Sequence, residues 1–303
     1  MESFVLLIAT GGTIACTANS EGALVPSLSA EDLVHSSGTT EPVRVYDALR
    51  LDSSAITFAD IDKLRSLTAQ ALQDPQISGI VISHGTDSMA ETAFALDIVH
   101  DDPRPIVLTG AQHDADHEHP DGPGNLAGAI AAAADPLRRN NGVLLHFGGA
   151  TLPARGLLKR DTHALEAFTL SSERPLPRPA ALACKPLAAI HIPILRAWPG
   201  ADGEIVDAVT SMNPDGIVIE ALGSGNVGPG MGEAITRALD SGIPVVITSS
   251  VPYGEVTFAY GGTGGGATLG SQGAIAAGFL RAGQARIALA TALANGVDPA
   301  SVF

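Results

Sequence analysis

Short, largely apolar runs recur along the chain at Phe4–Ala9, Gly79–Ser83, Pro105–Thr109 and Gly142–Phe147, and Val43–Ala48 is a further strand candidate in which Arg44 and Asp47 interrupt the apolar residues. Runs of this length with no polar alternation read as strands buried on both faces. Between them lie segments with helical character. Ser29-Ala-Glu-Asp-Leu-Val and Thr57-Phe-Ala-Asp-Ile-Asp-Lys-Leu each open with a hydroxyl cap and an early carboxylate, the signature of a helix start. Ser88–Asp97 and Gly124–Ala134 predict two more helices, the latter stopped by Asp135-Pro136 because a residue before proline is driven out of helical geometry. Strand alternating with helix predicts an α/β fold, with a parallel sheet covered by helices on both faces.

The texture changes between Ser171 and Gly200, where six prolines fall and the apolar pieces are short. A second α/β pattern follows: a strand at Gly216–Ala221, a helix at Met231–Ser241, a strand at Pro244–Ser249, then helices at Ala274–Leu280 and Gln284–Asn295. The expected organisation is a larger N-terminal domain over residues 1–185, a connection over 186–205 and a smaller C-terminal α/β domain over 206–303. Gly261-Gly-Thr-Gly-Gly-Gly266 reads as a mobile loop.

Composition narrows the class of function. The chain has 303 residues, 45% hydrophobic and 16% charged, enough for proper cores and too apolar for a disordered chain. A formal charge of −15 argues against a nucleic-acid partner, which needs a basic face. Cys16 and Cys184 are the two cysteines, too few for a disulfide framework; Cys16 reads as a small free thiol behind a loop. No apolar run reaches the ~20 residues of a membrane span. The apolar Phe4–Ala9 follows no basic segment and carries no cleavage signal, so a cytoplasmic location is expected, with no membrane partner.

Two motifs sit where chemistry is expected. Thr10-Gly11-Gly12-Thr13 follows the first strand, and His84-Gly85-Thr86-Asp87 follows the third. Both therefore lie at the carboxyl ends of parallel strands, where open α/β sheets place ligands. The glycines permit close backbone approach, and a threonine hydroxyl attacks a carbonyl only when a neighbouring network manages its proton. Two hydroxyls and a carboxylate on such loops point to nucleophilic attack on a small polar carbonyl compound. Each motif alone also fits a tight turn or a helix cap.

TGGTIA near the N-terminus, with HGTD-x-M-x-E-T about seventy residues on, resembles the bacterial-type L-asparaginases, which are threonine amidohydrolases. Pro105–Ala111, Asp121–Leu126 and the Ala154-Arg-Gly-Leu-Leu-Lys159-Arg-Asp-Thr segment extend the resemblance over most of the chain. It implies a cofactor-independent, metal-free hydrolysis of the L-asparagine side-chain amide to L-aspartate and ammonia, with some glutaminase activity in addition. Thr13 becomes the nucleophile and acyl carrier, with Thr86, Asp87 and Lys159 as a hydrogen-bonded catalytic set. Gly12, Asp52, Ser53, Ser54 and Gly85 become substrate-binding, joined by Asn226 from a neighbouring subunit. A homo-oligomer follows from the same resemblance, a tetramer arranged as a dimer of dimers. Residues 16–30 contain no tyrosine, where the family often has one closing over the first threonine. The place of the family's partner-subunit glutamate falls within Gly261–Gly266; Tyr253, Glu255 and Tyr260 are the candidate replacements.

Other readings compete. Gly223-Ser-Gly225-Asn226-Val-Gly228 fits a dinucleotide-binding turn locally, but Thr248-Ser-Ser250 stands where a ribose-binding acid would follow. Gln112–Asp121 holds three histidines and four carboxylates without a regular metal spacing. A non-catalytic amino-acid-binding or sensory protein retaining the pocket is the alternative of a different class. The asparaginase-like subunit of a tRNA-dependent amidotransferase is a related enzyme reading.

Overall fold

The computed structural model describes residues 3–303, and the chain divides into two compact units, Met1–Thr169 and Leu170–Phe303.

The first unit runs β1 (Phe4–Ala9), β2 (Cys16–Ala18), β3 (Leu24–Pro26), α1 (Ala30–Ser37), β4 (Val43–Asp47), α2 (Phe58–Ala71), β5 (Ile77–Ser83), α3 (Met89–Asp97), β6 (Ile106–Thr109), α4 (Gly122–Ala134), β7 (Val143–Phe147), β8 (Ala150–Pro153), β9 (Leu157–Lys159) and then β10 (Phe168–Leu170), which crosses the division. Its main sheet has the order β4-β1-β5-β6-β7-β8, parallel throughout except for β8, which runs antiparallel to β7. β1 pairs on one side with β4 (Leu7↔Val45) and on the other with β5 (Leu7↔Val81). The chain thus steps to one side of β1 and then returns to the other. Loops leaving β1 and β5 part there, and open α/β sheets bind ligands at such a reversal. α1 and α4 pack together on one face, over Val5, Leu7, Val81 and Val107.

The helix starts expected from sequence are present. Ser29 and Thr57 each accept the backbone N–H of the third helical residue, Asp32 and Asp60, whose carboxylates accept the cap N–H in return. α4 ends at Asp135, whose side chain caps the following 3₁₀ turn through the Leu137 N–H.

The second unit contains β11 (Ile194–Arg196), α5 (Glu204–Thr210), β12 (Ile217–Ala221), α6 (Pro229–Asp240), β13 (Val245–Ser249), α7 (Gly266–Ser271), β14 (Ile275–Ala276) and α8 (Ala282–Asn295). The order β11-β12-β13-β14 is parallel. β11 lies inside the segment read as a connection, because its three residues pair in register with Val218–Glu220.

Two expectations need correction. Ala274–Leu280 is not a helix: Ile275 and Ala276 pair with Val246 and Ile247, and Gly273 and Gly278 take φ of +102° and +56°, outside right-handed helical geometry. Gly261–Gly266, expected as a mobile loop, is exposed over Gly261–Thr263 but packed over its second half. Gly264–Gly266 are buried, the Gly264 carbonyl accepts the Val227 N–H at 2.9 Å, and a β-carbon on Gly264 would overlap the Val227 carbonyl.

Candidate active site

The site grows from the ends of β1 and β5. Thr10 continues their pairing past the sheet: its N–H and its hydroxyl both donate to the Ser83 carbonyl, at 3.1 and 2.8 Å. The Thr10 carbonyl then accepts the Leu51 N–H at 3.1 Å, drawing in the loop after β4. Beyond this anchor the chain turns through Gly11 and Gly12, at φ +102° and +87°, into a 3₁₀ turn, Thr13–Ala15. A β-carbon on Gly12 would overlap the Gly85 amide, and one on Gly85 would lie 2.5 Å from Ser53 Oγ. Backbone thus packs on backbone where the two motifs meet, and only glycine tolerates that spacing. The turn carrying Thr13 is held directly beside Gly85-Thr86.

Thr86 is buried, and its Oγ1 accepts a hydrogen bond from Lys159 Nζ at 2.7 Å. The same ammonium lies 3.3 Å from Asp87 Oδ1. The Lys159 side chain is 22% exposed and that of Asp87 64%, so the cluster runs from a dry hydroxyl to a wet carboxylate. Ser53, buried in the 3₁₀ turn after β4, accepts the Asp87 N–H on Oγ at 3.1 Å, while its carbonyl accepts the Ser88 hydroxyl at 2.6 Å. Thr13 is half-buried, and among the described residues its hydroxyl has no hydrogen-bond partner. Cys16 donates its thiol to the Gly12 carbonyl at 3.3 Å; burial, then Asp52 and Asp114, push that thiol's pKa up, so it stays protonated and supports the turn as a donor.

Of the residues singled out from sequence, the fold gathers Gly12, Thr13, Ser53, Gly85, Thr86, Asp87 and Lys159. Asp52 and Ser54 flank Ser53 but are not buried with it, and neither side chain bonds to the cluster. Asn226 belongs to the second unit, where its Oδ1 accepts the Gly266 N–H at 3.2 Å. The turn around it is closed on itself: Leu222 and Asn226 exchange backbone hydrogen bonds at 2.8 and 2.9 Å, and a β-carbon on Gly225 would meet Val256 at 2.9 Å.

In the histidine-rich segment, Asp121 accepts the N–H groups of Gln112 and His113 and the Asn125 amide, and the His113 and His117 rings stack 3.8 Å apart. Among the described residues no three His, Cys, Asp or Glu side chains gather as metal ligands.

Sequence reasoning did not single out His84. Its ring is fully buried, Nδ1 lies 2.7 Å from the Gly85 carbonyl, and Nε2 has no partner among the described residues. A carbonyl only accepts, so Nδ1 carries the proton. Burial depresses the pKa to about 4, and the ring is neutral at pH 7. A histidine adjoining a glycine in a loop gives no sign in the sequence of which way its ring will turn.

Two family models divide the chain: the asparaginase N-terminal domain matches residues 4–182 and the glutaminase/asparaginase C-terminal domain residues 191–302. The chain belongs to the asparaginase family. An L-asparaginase of Bacillus licheniformis is 31% identical, over 97% of both chains. A probable L-asparaginase of Deinococcus radiodurans is 34% identical, over 96% of this chain and 93% of its own. One subunit of the glutamyl-tRNA(Gln) amidotransferase of Methanopyrus kandleri is 33% identical over 83% of this chain and 62% of its own. The crystal structure of a probable cytoplasmic L-asparaginase from Campylobacter jejuni shares the fold, with a TM-score of 0.86 over 99% of this chain and 98% of that one, at 24% identity. This asparaginase-family enzyme therefore has the fold expected from its strand and helix pattern. Among its described residues no helix is long and apolar enough to cross a membrane.

Proposed function

We propose that this enzyme hydrolyses the side-chain amide of L-asparagine to L-aspartate and ammonia, with Thr13 as nucleophile. The observation that carries the reading is the Lys159 ammonium, bonded at once to Thr86 Oγ1 and Asp87 Oδ1 beside a threonine whose own hydroxyl is unengaged. In the proposed first step Thr13 Oγ forms a bond to the amide carbon, its hydroxyl proton passes by way of the Thr86 hydroxyl to the amide nitrogen, and the C–N bond breaks to release ammonia. The product is a β-aspartyl ester on Thr13. A water molecule then adds to that ester, its proton relayed through the Thr86 hydroxyl to Thr13 Oγ as the Thr13–carbon bond breaks, releasing aspartate and restoring the threonine hydroxyl. An ammonium fixed on a hydroxyl oxygen favours the form that gives its proton away, and splitting one hard displacement into two is the gain from a covalent intermediate.

Ser53 and Asp87 are the proposed readers of the substrate's α-carboxylate and α-ammonium. Ser53 Oγ accepts a backbone N–H and keeps its own proton to donate. Asp87 holds an exposed carboxylate at the mouth. Assembly as a homotetramer, with Asn226 of a neighbouring copy completing the site, and a cytoplasmic location belong to the same proposal. They rest on the resemblance to relatives and on an Asn226 amide nitrogen that has no partner within its own unit.

The test is ammonia release from L-asparagine and L-glutamine by the purified protein. Turnover of free asparagine is expected, with a loss of about 10³-fold or more in Thr13→Ala and a comparable loss in Lys159→Met, circular dichroism remaining native. A Thr13→Ala protein retaining most of its turnover would remove the assignment. The likeness to the amidotransferase of Methanopyrus kandleri favours a second reading, amide hydrolysis coupled to a tRNA partner; absence of turnover on either free amino acid, with native folding, is its outcome.

A further inference from the structure

Within the first unit, on the side of the Thr13–Ala15 turn marked by Ile14, lies a cavity of about 340 Å³ between α1, the first turn of α4 and the loop 113–120. Nothing in the proposed reaction uses it. Its floor is apolar, made by the buried Ile14, Leu33 and Leu126. Its walls carry Asp32, His113 and Asp116, and these three present acceptors. Asp32 uses Oδ2 for the Ser29 N–H and hydroxyl, and Asp116 uses Oδ2 for the Ala18 N–H at 3.1 Å. In both carboxylates Oδ1 is left without a partner among the described residues. His113 Nδ1 donates to the His119 carbonyl at 2.8 Å, which in the uncharged form of the ring leaves Nε2 as an acceptor. His35, the remaining titratable side chain on the wall, serves as donor or acceptor.

An apolar floor beneath two carboxylate oxygens and an imidazole lone pair matches a ligand that brings several N–H donors, a positive charge and a hydrophobic body. We propose that this cavity binds a small primary amine in its ammonium form, carrying an aromatic or branched aliphatic tail. The volume lies at the lower end of small-molecule sites and suits a tail of about one ring. Three donors on one ammonium satisfy three acceptors, and charge-assisted bonds are the strong class. The ligand lies against Ile14, next in sequence to Thr13, and against Thr17 and Asp116, where Asp116 ties β2 to the loop.

Isothermal titration calorimetry of the full-length protein with phenethylamine tests the proposal. One saturable event per chain is expected. The neutral isostere 2-phenylethanol should bind about tenfold or more weakly, as should phenethylamine with Asp116→Asn, since a charged hydrogen bond is worth roughly that factor. Ser36→Trp, which fills the cavity from α1, should abolish the event while the melting temperature stays native. Absence of saturable heat, equal affinity for the neutral isostere, or unchanged binding in a folded Ser36→Trp protein would overturn the assignment. Should Ser36→Trp not fold, Asp116→Asn decides: its side chain is at the surface, and unchanged affinity there removes the site.

Discussion

Gly12 shows how a single hydrogen atom in place of a side chain sets the geometry of the site. At φ +87° a side chain is strained, and here it would also overlap the Gly85 amide. Neither cost has a flexible neighbour to absorb it, because the obstacle is backbone. Gly12→Ala should therefore push the Thr13 turn away from Thr86, lowering turnover by at least about 10²-fold and destabilising the fold by about 1–3 kcal/mol. Steady-state ammonia release together with urea unfolding checks both; near-native turnover would show that the two motifs do not need this contact. Lys159 makes the complementary point. A lone lysine ahead of Arg160 and Asp161 reads as a solvated charge, and it is the length of its side chain, reaching from β9 to the end of β5, that makes it part of the cluster.

At the scale of elements, the helices start where local chemistry starts them. The Thr57–Asp60 reciprocal cap closes two backbone donors at the head of α2, and this is independent of the site. Thr57→Ala should cost about 1 kcal/mol, while Thr57→Ser should cost much less. Chemical denaturation measures both, and asparagine turnover should stay unchanged. The Thr57 bonds hold the Asp60 carboxyl below its ordinary range, so its share of stability is present above the ordinary carboxylate pKa. That share is lost as pH falls through the lowered value of the fold. The strands behave differently. Ile275-Ala276 sits in an alanine- and glycine-rich stretch that reads as helix, yet it adds to the edge of β13 because Gly273 and Gly278 break the helix on both sides. Local propensity loses there to pairing with Val246 and Ile247.

For the whole molecule, the buried His84 ring links folding to pH. In the folded state it stays neutral down to about pH 4, whereas in the unfolded chain it takes up a proton near 6.5. Between those values the unfolded state binds more protons, so stability falls as pH is lowered from about 6.5 towards about 4. The unfolding free energy measured across that window should decline less steeply in His84→Gln than in the parent. Identical slopes would place the acid sensitivity elsewhere. The bond from this ring to the Gly85 carbonyl also ties the acid response of the fold to the loop that carries Thr86.

The order of elements, the helix caps and the two threonine motifs were readable from residue types alone, because caps, apolar runs and glycine turns depend on neighbours within a few positions. The separation of Thr13 from Thr86 in sequence says nothing of their distance in space. That was decided by the strand order, which sets β1 against β5 and lets the Gly12 and Gly85 backbones touch. The same holds for Lys159, which reaches the cluster only once β9 packs near α3, and for Ser53, whose hydroxyl finds the Asp87 N–H across 34 residues. It holds too for the reversal of the Ala274–Leu280 expectation, where an edge strand was available to be completed. Local chemistry determined which residues could act; long-range pairing and the close approach of bare backbone decided which of them meet.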